Sequence, residues 1–589
     1  MRASAAIRAS SVVGGGAHEA NRRRLGASDA GGRYPVPSRT AVAMSASSTS
    51  DTAAAAAASS AAKDAAAKEA SDWTSLRRAS GVNLAVGHPG RLPDRVLARA
   101  MESAAAKLRG DALASDLGFR PADDDLARLG APPLSYVARR GAPEALAVVS
   151  RFLSEAYAFG NSDRPERYAA REDSLMITNG VSHGLDLACA ALTRPGDVVV
   201  VELPTYFLAA DVFADRGLAA VGVGGGGGDG DGSHFDVDAF EARLRDPNDA
   251  LRPRMLYLVP THSNPRGGTL PERDRERLIL LAREFGFFVV ADEVYHLLHW
   301  GDEPPPRRFA QIEREMEERE GENAWDAGAD GWKVRAKADE DEDEENVYAE
   351  APSEPDASNT ASDAASDASL PSDTCSPRCS LSAHRARARL TAGNTSARVV
   401  SLSSFSKILA PGARVGWAEA APPLVSALAD RGYVASGGCV APLAAGLVAE
   451  AIALGDQSEW LETLRVTFGA SARALAEAVE EERNATGWSA SETPTGGYFL
   501  WVKLPEGVTA TSLAKHAARE EVAYLAGSRC VPGGAAGADD ATRTCDQYVR
   551  LCFAFLEEDE LREGARRLAR AVRSAREEVA RRDQKERGD

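Results

Sequence analysis

From about residue 80 the chain alternates continuously apolar runs with amphipathic ones. EALAVVSRFLSEAY, residues 144 to 157, places Leu146, Val149, Phe152 and Leu153 at the spacing that lines one face of a helix. DVVVVELP (197 to 204) is apolar at successive positions, as a strand buried on both faces must be. A glycine-rich loop at 224 to 232 leads on to a strand at MLYLVP (255 to 260). An amphipathic helix at ERDRERLILLAREFG (272 to 286) and a strand at FFVVADE (287 to 293) follow. Strands alternating with helices predict an α/β protein with a parallel sheet.

The pattern lapses over residues 303 to 395, which are rich in Glu, Asp, Ser, Ala and Pro, and resumes with the strand RVVSLS at 398 to 403. A segment so polar cannot bury a core, so 303–395 reads as a disordered acidic insertion. Beyond Gly432 come Ala/Leu helices, the short apolar segment GGYFLWVKLP (496 to 505), and a closing strand and helix from Tyr548 to Val572. The domain plan is therefore a large domain from 131–302 and 396–425, and a smaller α+β domain from 73–130 and 426–575. A charged tail is expected at 576–589.

Composition changes the picture at the N-terminus. Residues 1 to 72 carry Arg2, Arg8, Arg22, Arg23, Arg24, Arg33 and Arg39 against only Glu19 and Asp29, amid Ala and Ser. That acid-poor, hydroxyl-rich pattern reads as a transit peptide to an organelle, with Met44 as a start for a cytoplasmic form. No apolar run reaches the length of a membrane helix. The net charge of −18, much of it in DEDEDEE at 339 to 345, opposes nucleic acid as a partner. Seven scattered cysteines make neither a disulfide framework nor a metal-ligand set.

In open parallel sheets, ligands bind beyond the carboxyl ends of the strands. The strand at 255–260 ends near Asn264, that at 287–291 ends in Asp292 with Tyr295 after it, and that at 398–403 ends in Ser404, Ser406 and Lys407. Upstream, ITNGVSHGLDL (177 to 187) passes through Gly180 into a helix whose first N–H groups, at Val181 and Ser182, suit an anion. An amine, a carboxylate, a phenol, an amide and an anion cup are what pyridoxal 5′-phosphate needs.

At these residues the chain resembles the class I/II aminotransferases, fold type I of the pyridoxal-phosphate enzymes, nearest to the 2-aminoadipate and kynurenine aminotransferase branch. The resemblance is carried, in family order, by NLAVGHPG, LSYVARRGAPEAL, ITNGVSHGLDL, VELPTYF, LVPTHSNPRGG, VVADEVYHLL, SLSSFSKILAPGARVGW, TGGYFLWVKLP and YVRLCFAFL. It implies a mostly parallel seven-stranded sheet flanked by helices. Lys407 then matches the lysine that carries the cofactor and shuttles the substrate proton, and Asp292 the partner of the pyridine nitrogen. Tyr295 and Asn264 match donors to the cofactor's phenolic oxygen. Ser404, Ser406 and Arg414, with the backbone at Gly180, Val181 and Ser182, match the phosphate ligands, Ser404 better than Ser406. Tyr206 matches the aromatic stacked on the ring, and Tyr136 the tyrosine that reaches the phosphate across a homodimer boundary. Arg550 and Gly87 match the site of the substrate α-carboxylate, and Asn264 is counted with them among the substrate-binding residues.

The resemblance implies transfer of an amino group from an L-amino acid to a 2-oxo acid, expected to be 2-oxoglutarate, in a ping-pong cycle. A β-lyase or carbon–sulfur lyase on the same site is the second reading, and a non-catalytic binding protein on the fold the third. His183 stands where relatives often carry an amide, and Arg77, Arg78 and Arg91 are candidates for a second substrate carboxylate.

Overall fold

Every position of the strand Phe288–Asp292 and of the strand Val399–Ser404 is buried, so both need apolar cover on two faces and lie inside a sheet. The computed structural model describes residues 81–110, 130–158, 168–224, 234–249, 251–326, 396–438, 440–533 and 538–588. The expected leader at 1–72 lies outside the described residues, as does the part of the expected insertion from 327 to 395.

In chain order the strands are β1 (Val82–Asn83), β2 (Leu175–Thr178), β3 (Val198–Leu203), β4 (Ala219–Gly224), β5 (Pro253–Leu258), β6 (Phe288–Asp292), β7 (Val399–Ser404) and β8 (Gly416–Ala420). They are followed by β9 (Ser489–Ala490), β10 (Phe499–Lys503), β11 (Val522–Ala523), β12 (Leu525–Ala526) and β13 (Tyr548–Cys552). Seven of them form one sheet in the order β2-β8-β7-β6-β5-β3-β4. The pairs from β7 through β4 are parallel, and β8 runs antiparallel between β7 and β2. Because β5, β6 and β7 are neighbours, Asn264, Asp292 and Lys407 leave three adjacent strands at the same edge.

Both faces of this sheet are covered by apolar side chains, in one cluster with Val199, Val201, Tyr257 and Val290 and another with Val200, Leu256, Leu258 and Val289. Burying each such side chain contributes roughly 1.5–3 kcal/mol. A second sheet, β12-β13-β10-β9, is antiparallel and carries Arg550 on β13 opposite Trp501. The N-terminal strand β1 pairs in parallel with β11, which ties the segment around Gly87 to the C-terminal half.

Two expected boundaries move. Disorder expected from 303 gives way to a helix at Phe309–Asp326 whose first turns are buried. The charge that made this stretch look solvated is paired inside the protein. Arg308 forms a buried ion pair with Glu419 of β8 and lies 3.5 Å over the Tyr157 ring, while Arg307 bonds Glu272, Glu276 and Glu315. Glu313 accepts from the backbone N–H groups of Arg398 (2.6 Å) and Val399 (3.2 Å), and so holds the start of the strand that delivers Lys407. At the other end, the tail expected at 576–589 continues the helix Glu558–Gly588, with Arg581–Glu577 and Arg582–Glu586 pairs at helical spacing.

Candidate active site

Asp292 ends β6 and is 4% exposed. Its Oδ2 accepts from the Tyr257 hydroxyl at 2.9 Å, and its Oδ1 is buried with no hydrogen-bond partner among the described residues. Burial pushes this carboxyl up to about 6, against the opposing pull of the Tyr257 hydroxyl, the Val294 N–H and the Lys407 charge. Lys407 follows β7, its Nζ 3.4 Å from the Gly87 carbonyl and 5.4 Å over the Tyr498 ring. Its main-chain carbonyl accepts from the Tyr498 hydroxyl at 3.0 Å. Burial lowers the ammonium to about 8, with Cys552 and Asp292 acting the other way. The uncharged, nucleophilic amine is therefore populated far more near neutrality than that of an exposed lysine.

The anion cup forms where β2 turns through Gly180 into the helix Val181–Leu192, a start with no side-chain cap. Gly180 has φ +80°, and a Cβ there would stand 2.9 Å from Arg414 Nη2, so the close approach requires glycine. Arg414 donates to the Asn179 carbonyl (3.4 Å), the Pro411 carbonyl (3.2 Å) and Ser406 Oγ (3.4 Å). Ser404 stands next to the cup and shares a 2.8 Å bond between its Oγ and that of Ser406. Its hydroxyl donates to the Val415 carbonyl at 3.0 Å and accepts from the Ser406 N–H at 3.0 Å, which ties it into the turn. Ser406, the weaker sequence candidate, is the hydroxyl beside Arg414. His183 accepts from the Asn179 N–H at Nδ1 (3.1 Å), which puts its proton on Nε2, and burial lowers its pKa.

Across the site Arg550 is 4% exposed and has no carboxylate partner among the described residues. Nη1 donates to Asn264 Oδ1 and Nη2 to the Ala85 carbonyl, both at 2.8 Å, while Nε is buried without a partner. The guanidinium lies 4.0 Å over the Phe499 ring. Gly87 leaves this arm open: a Cβ there would meet Phe499 at 3.1 Å and Arg550 Nη2 at 3.5 Å. With Asn264 Oδ1 turned to Arg550, its amide nitrogen remains as a donor. Tyr295 is buried against Tyr498 (5.2 Å) and Phe499 (6.0 Å), and its hydroxyl has no hydrogen bond among the described residues. Tyr206 lies within electrostatic reach of Asp292, Arg550 and Arg414, and burial raises its phenol to about 12.

The structure thus brings together Lys407, Asp292, Tyr295, Asn264, Tyr206, Arg550 and Gly87, with Gly180, Val181, Ser182, Ser406 and Arg414 at the cup. Tyr136 stands apart at 84% exposed, and Arg91, a candidate for a second carboxylate, is bonded to Glu557. Arg77 and Arg78 lie outside the described residues. Sequence reasoning passed over Tyr257, Tyr498 and Phe499. The one available signal was a phenol inside an otherwise apolar strand at 257.

An orphaned carboxylate oxygen, a desolvated amine, an unpartnered guanidinium N–H and a glycine-opened helix start are the groups that a phosphorylated pyridine and an amino acid would engage. The residues present fit pyridoxal phosphate.

Comparison with known proteins agrees. The profile of the family described as aminotransferase class I and II matches residues 125–321 and 372–568. The gap between these stretches is narrower than the insertion expected at 303–395. The chain is 27% identical over 420 residues to a 2-aminoadipate transaminase of Thermus thermophilus, covering 71% of this chain and 80% of that protein. It is 25% identical to aromatic-amino-acid aminotransferase 1 of Thermococcus litoralis, over 68% of this chain and 72% of that one. Among solved structures, the α-aminoadipate aminotransferase of Thermus thermophilus, complexed with N-(5′-phosphopyridoxyl)-L-leucine, superposes with a TM-score of 0.53 at 24% identity. That match covers 84% of this chain and 92% of that one.

Proposed function

Because the chain belongs to the class I and II aminotransferase family, we propose that it carries an amino group from an L-amino acid to 2-oxoglutarate in two successive half-reactions at one site. The chain is a pyridoxal-phosphate-dependent transaminase; the donor, the acceptor and the ping-pong order are what the proposal adds. One observation carries it: on neighbouring strands, a desolvated lysine amine stands beside a buried carboxylate with one oxygen left free.

When bound, pyridoxal phosphate supplies a reactive carbonyl carbon and a ring that withdraws electrons from the substrate's Cα. The chain's own residues do the rest. Arg550 forks the substrate α-carboxylate, with Asn264 and the Ala85 carbonyl fixing the plane of the guanidinium. Phe499 beneath it excludes water from one face. Lys407 Nζ would take the proton from the substrate Cα and, as the ammonium, deliver it to the carbon that was the cofactor's carbonyl carbon. Asp292 holds a proton at the ring nitrogen, and Arg414, Ser406 and the N–H groups of Val181 and Ser182 hold the phosphate.

Aromatic donors are expected among those that react. Phe499, Tyr295 and Tyr206 surround Arg550, and Arg91 is already bonded to Glu557. The test is the visible absorbance of the purified, cofactor-loaded protein during titration with tyrosine, phenylalanine, kynurenine and 2-aminoadipate. Reacting donors bleach the band, and 2-oxoglutarate restores it. Pyruvate released from a cysteine conjugate without acceptor would instead establish the lyase reading, and failure to take up cofactor at any concentration would sink both.

The working unit is a homodimer. Leu134, Tyr136, Tyr433 and Leu443 are exposed apolar residues, and Tyr433 stands edge-on to His183 (centroids 6.0 Å apart) at the phosphate helix. Each site takes its partner's Tyr136 hydroxyl. Tyr136→Ala is expected to weaken cofactor retention about 10- to 100-fold, the loss of one bond to a charged group. Mixed dimers of Tyr136→Ala and Lys407→Ala chains contain one site free of both changes. At limiting cofactor they are expected to exceed the activity of either parent, since the intact site retains cofactor as the native enzyme does; mixtures no more active than the Tyr136→Ala parent would refute sharing.

A further inference from the structure

Tyr257 is the last residue but one of β5, wholly buried, with Val201 of β3 on one side and Val290 of β6 on the other. The neighbours at its level are apolar, and its ring packs edge-on to Phe213 at 5.6 Å. A leucine would fill such a place without the cost of burying a hydroxyl, which runs to roughly 1–3 kcal/mol when unbonded. The hydroxyl here has one bond, to Asp292 Oδ2 at 2.9 Å, made across 35 residues of sequence. We propose that Tyr257 is a positioning residue for the cofactor: it occupies Oδ2 of Asp292, keeps that carboxylate ionised, and leaves Oδ1 for the ring nitrogen. The inference rests on the cofactor reading above and deepens it.

The direction of the bond follows from the chemistry. An ionised carboxylate only accepts, so the phenol must donate. Burial and the adjacent Asp292 charge hold the phenol well above its ordinary range, which makes it a donor at every working pH. The other titratable or charged groups facing Asp292 are Lys407 at the end of β7, Glu293 beside it, and Tyr206 and Tyr295. Lys407 favours the ionised form and Glu293 opposes it, so neither fixes which oxygen is free. The Tyr257 bond occupies Oδ2, with the Val294 N–H as a second, weaker donor to the carboxyl, and Oδ1 is left as the buried orphan.

The test compares Tyr257→Phe, replacement of Tyr257 by 3,5-difluorotyrosine, and Asp292→Asn in the full chain. The dissociation constant of pyridoxal phosphate is read from tryptophan fluorescence of the apoprotein, and the acidic limb of the kcat/KM profile from the loaded enzyme. Tyr257→Phe is expected to weaken cofactor binding about tenfold and to move the acidic limb up by about one pH unit, the loss of a bond to a charged group. The difluorotyrosine, a stronger donor of the same shape, is expected to move the limb down; it decides the matter if the phenylalanine variant does not fold. Affinity and limb unchanged in either folded variant would overturn the proposal and leave Tyr257 as core packing. If Asp292→Asn binds cofactor as tightly as the parent, the role assigned to Asp292 fails, not that of Tyr257 alone.

Discussion

Lys407→Ala is expected to lower the rate of the donor half-reaction about 10⁴-fold or more, the scale on which a positioned proton-transfer group contributes, with the loss of covalent cofactor holding added to it. The amine sits at the end of a wholly buried strand, and its surroundings push it down to about 8. A side chain without a titrating amine has nothing to move the Cα proton. Stopped-flow absorbance of loaded protein mixed with a reacting donor measures this rate. Added methylamine is expected to restore a part of it, because the missing element is a base and the pocket for it remains. The apoprotein of the variant is expected to melt no lower than the parent near pH 7. The native amine has a lowered pKa, so its charged form is disfavoured by folding; that cost is fully present below pH 8 and disappears as pH rises from about 8 toward the unfolded value. A rate within tenfold of the parent would remove Lys407 from the mechanism.

Arg550→Ala is expected to reduce kcat/KM for every amino donor by about 10³-fold, the order given by deleting one partner of a buried charge pair at roughly 2–5 kcal/mol. Its Nε is unpartnered and its two Nη groups are held by Asn264 and the Ala85 carbonyl, so the fork is set before substrate arrives. Cofactor affinity should change little, since the role proposed for Arg550 is toward the substrate. That split separates it from Asp292 and Arg414, whose loss weakens cofactor retention. Arg550→Lys is expected to recover only a small part, because one ammonium cannot bond two carboxylate oxygens while satisfying Asn264. Equal losses in cofactor affinity and in kcat/KM would show that the arginine is structural.

The strands that carry the site were legible because their signal is local. VVVV at 198–201 and FFVVAD at 287–292 can only be buried strands, and the polar residue after each run falls at the sheet edge by the geometry of a parallel sheet. Lys407, Asp292 and Asn264 were singled out in this way. The helix Phe309–Asp326 was misread for the complementary reason. Its Arg and Glu residues look solvated in isolation, and only the placement of Glu419 and of the Arg398 and Val399 N–H groups makes burial tolerable. Which of Ser404 and Ser406 meets Arg414 was not legible, because a turn, not a spacing, decides which hydroxyl bonds the Val415 carbonyl.

By itself, then, the sequence determined the α/β order, the strand-end residues and the chemistry they share, all of which follow from periodicity within a few turns of chain. Tertiary structure alone decided which oxygen of Asp292 is free, how Arg550 is aimed and which serine meets Arg414. Each depends on a bond between groups far apart in the chain, Tyr257 with Asp292 and Asn264 with Arg550 among them, whose geometry exists only once the sheets have assembled.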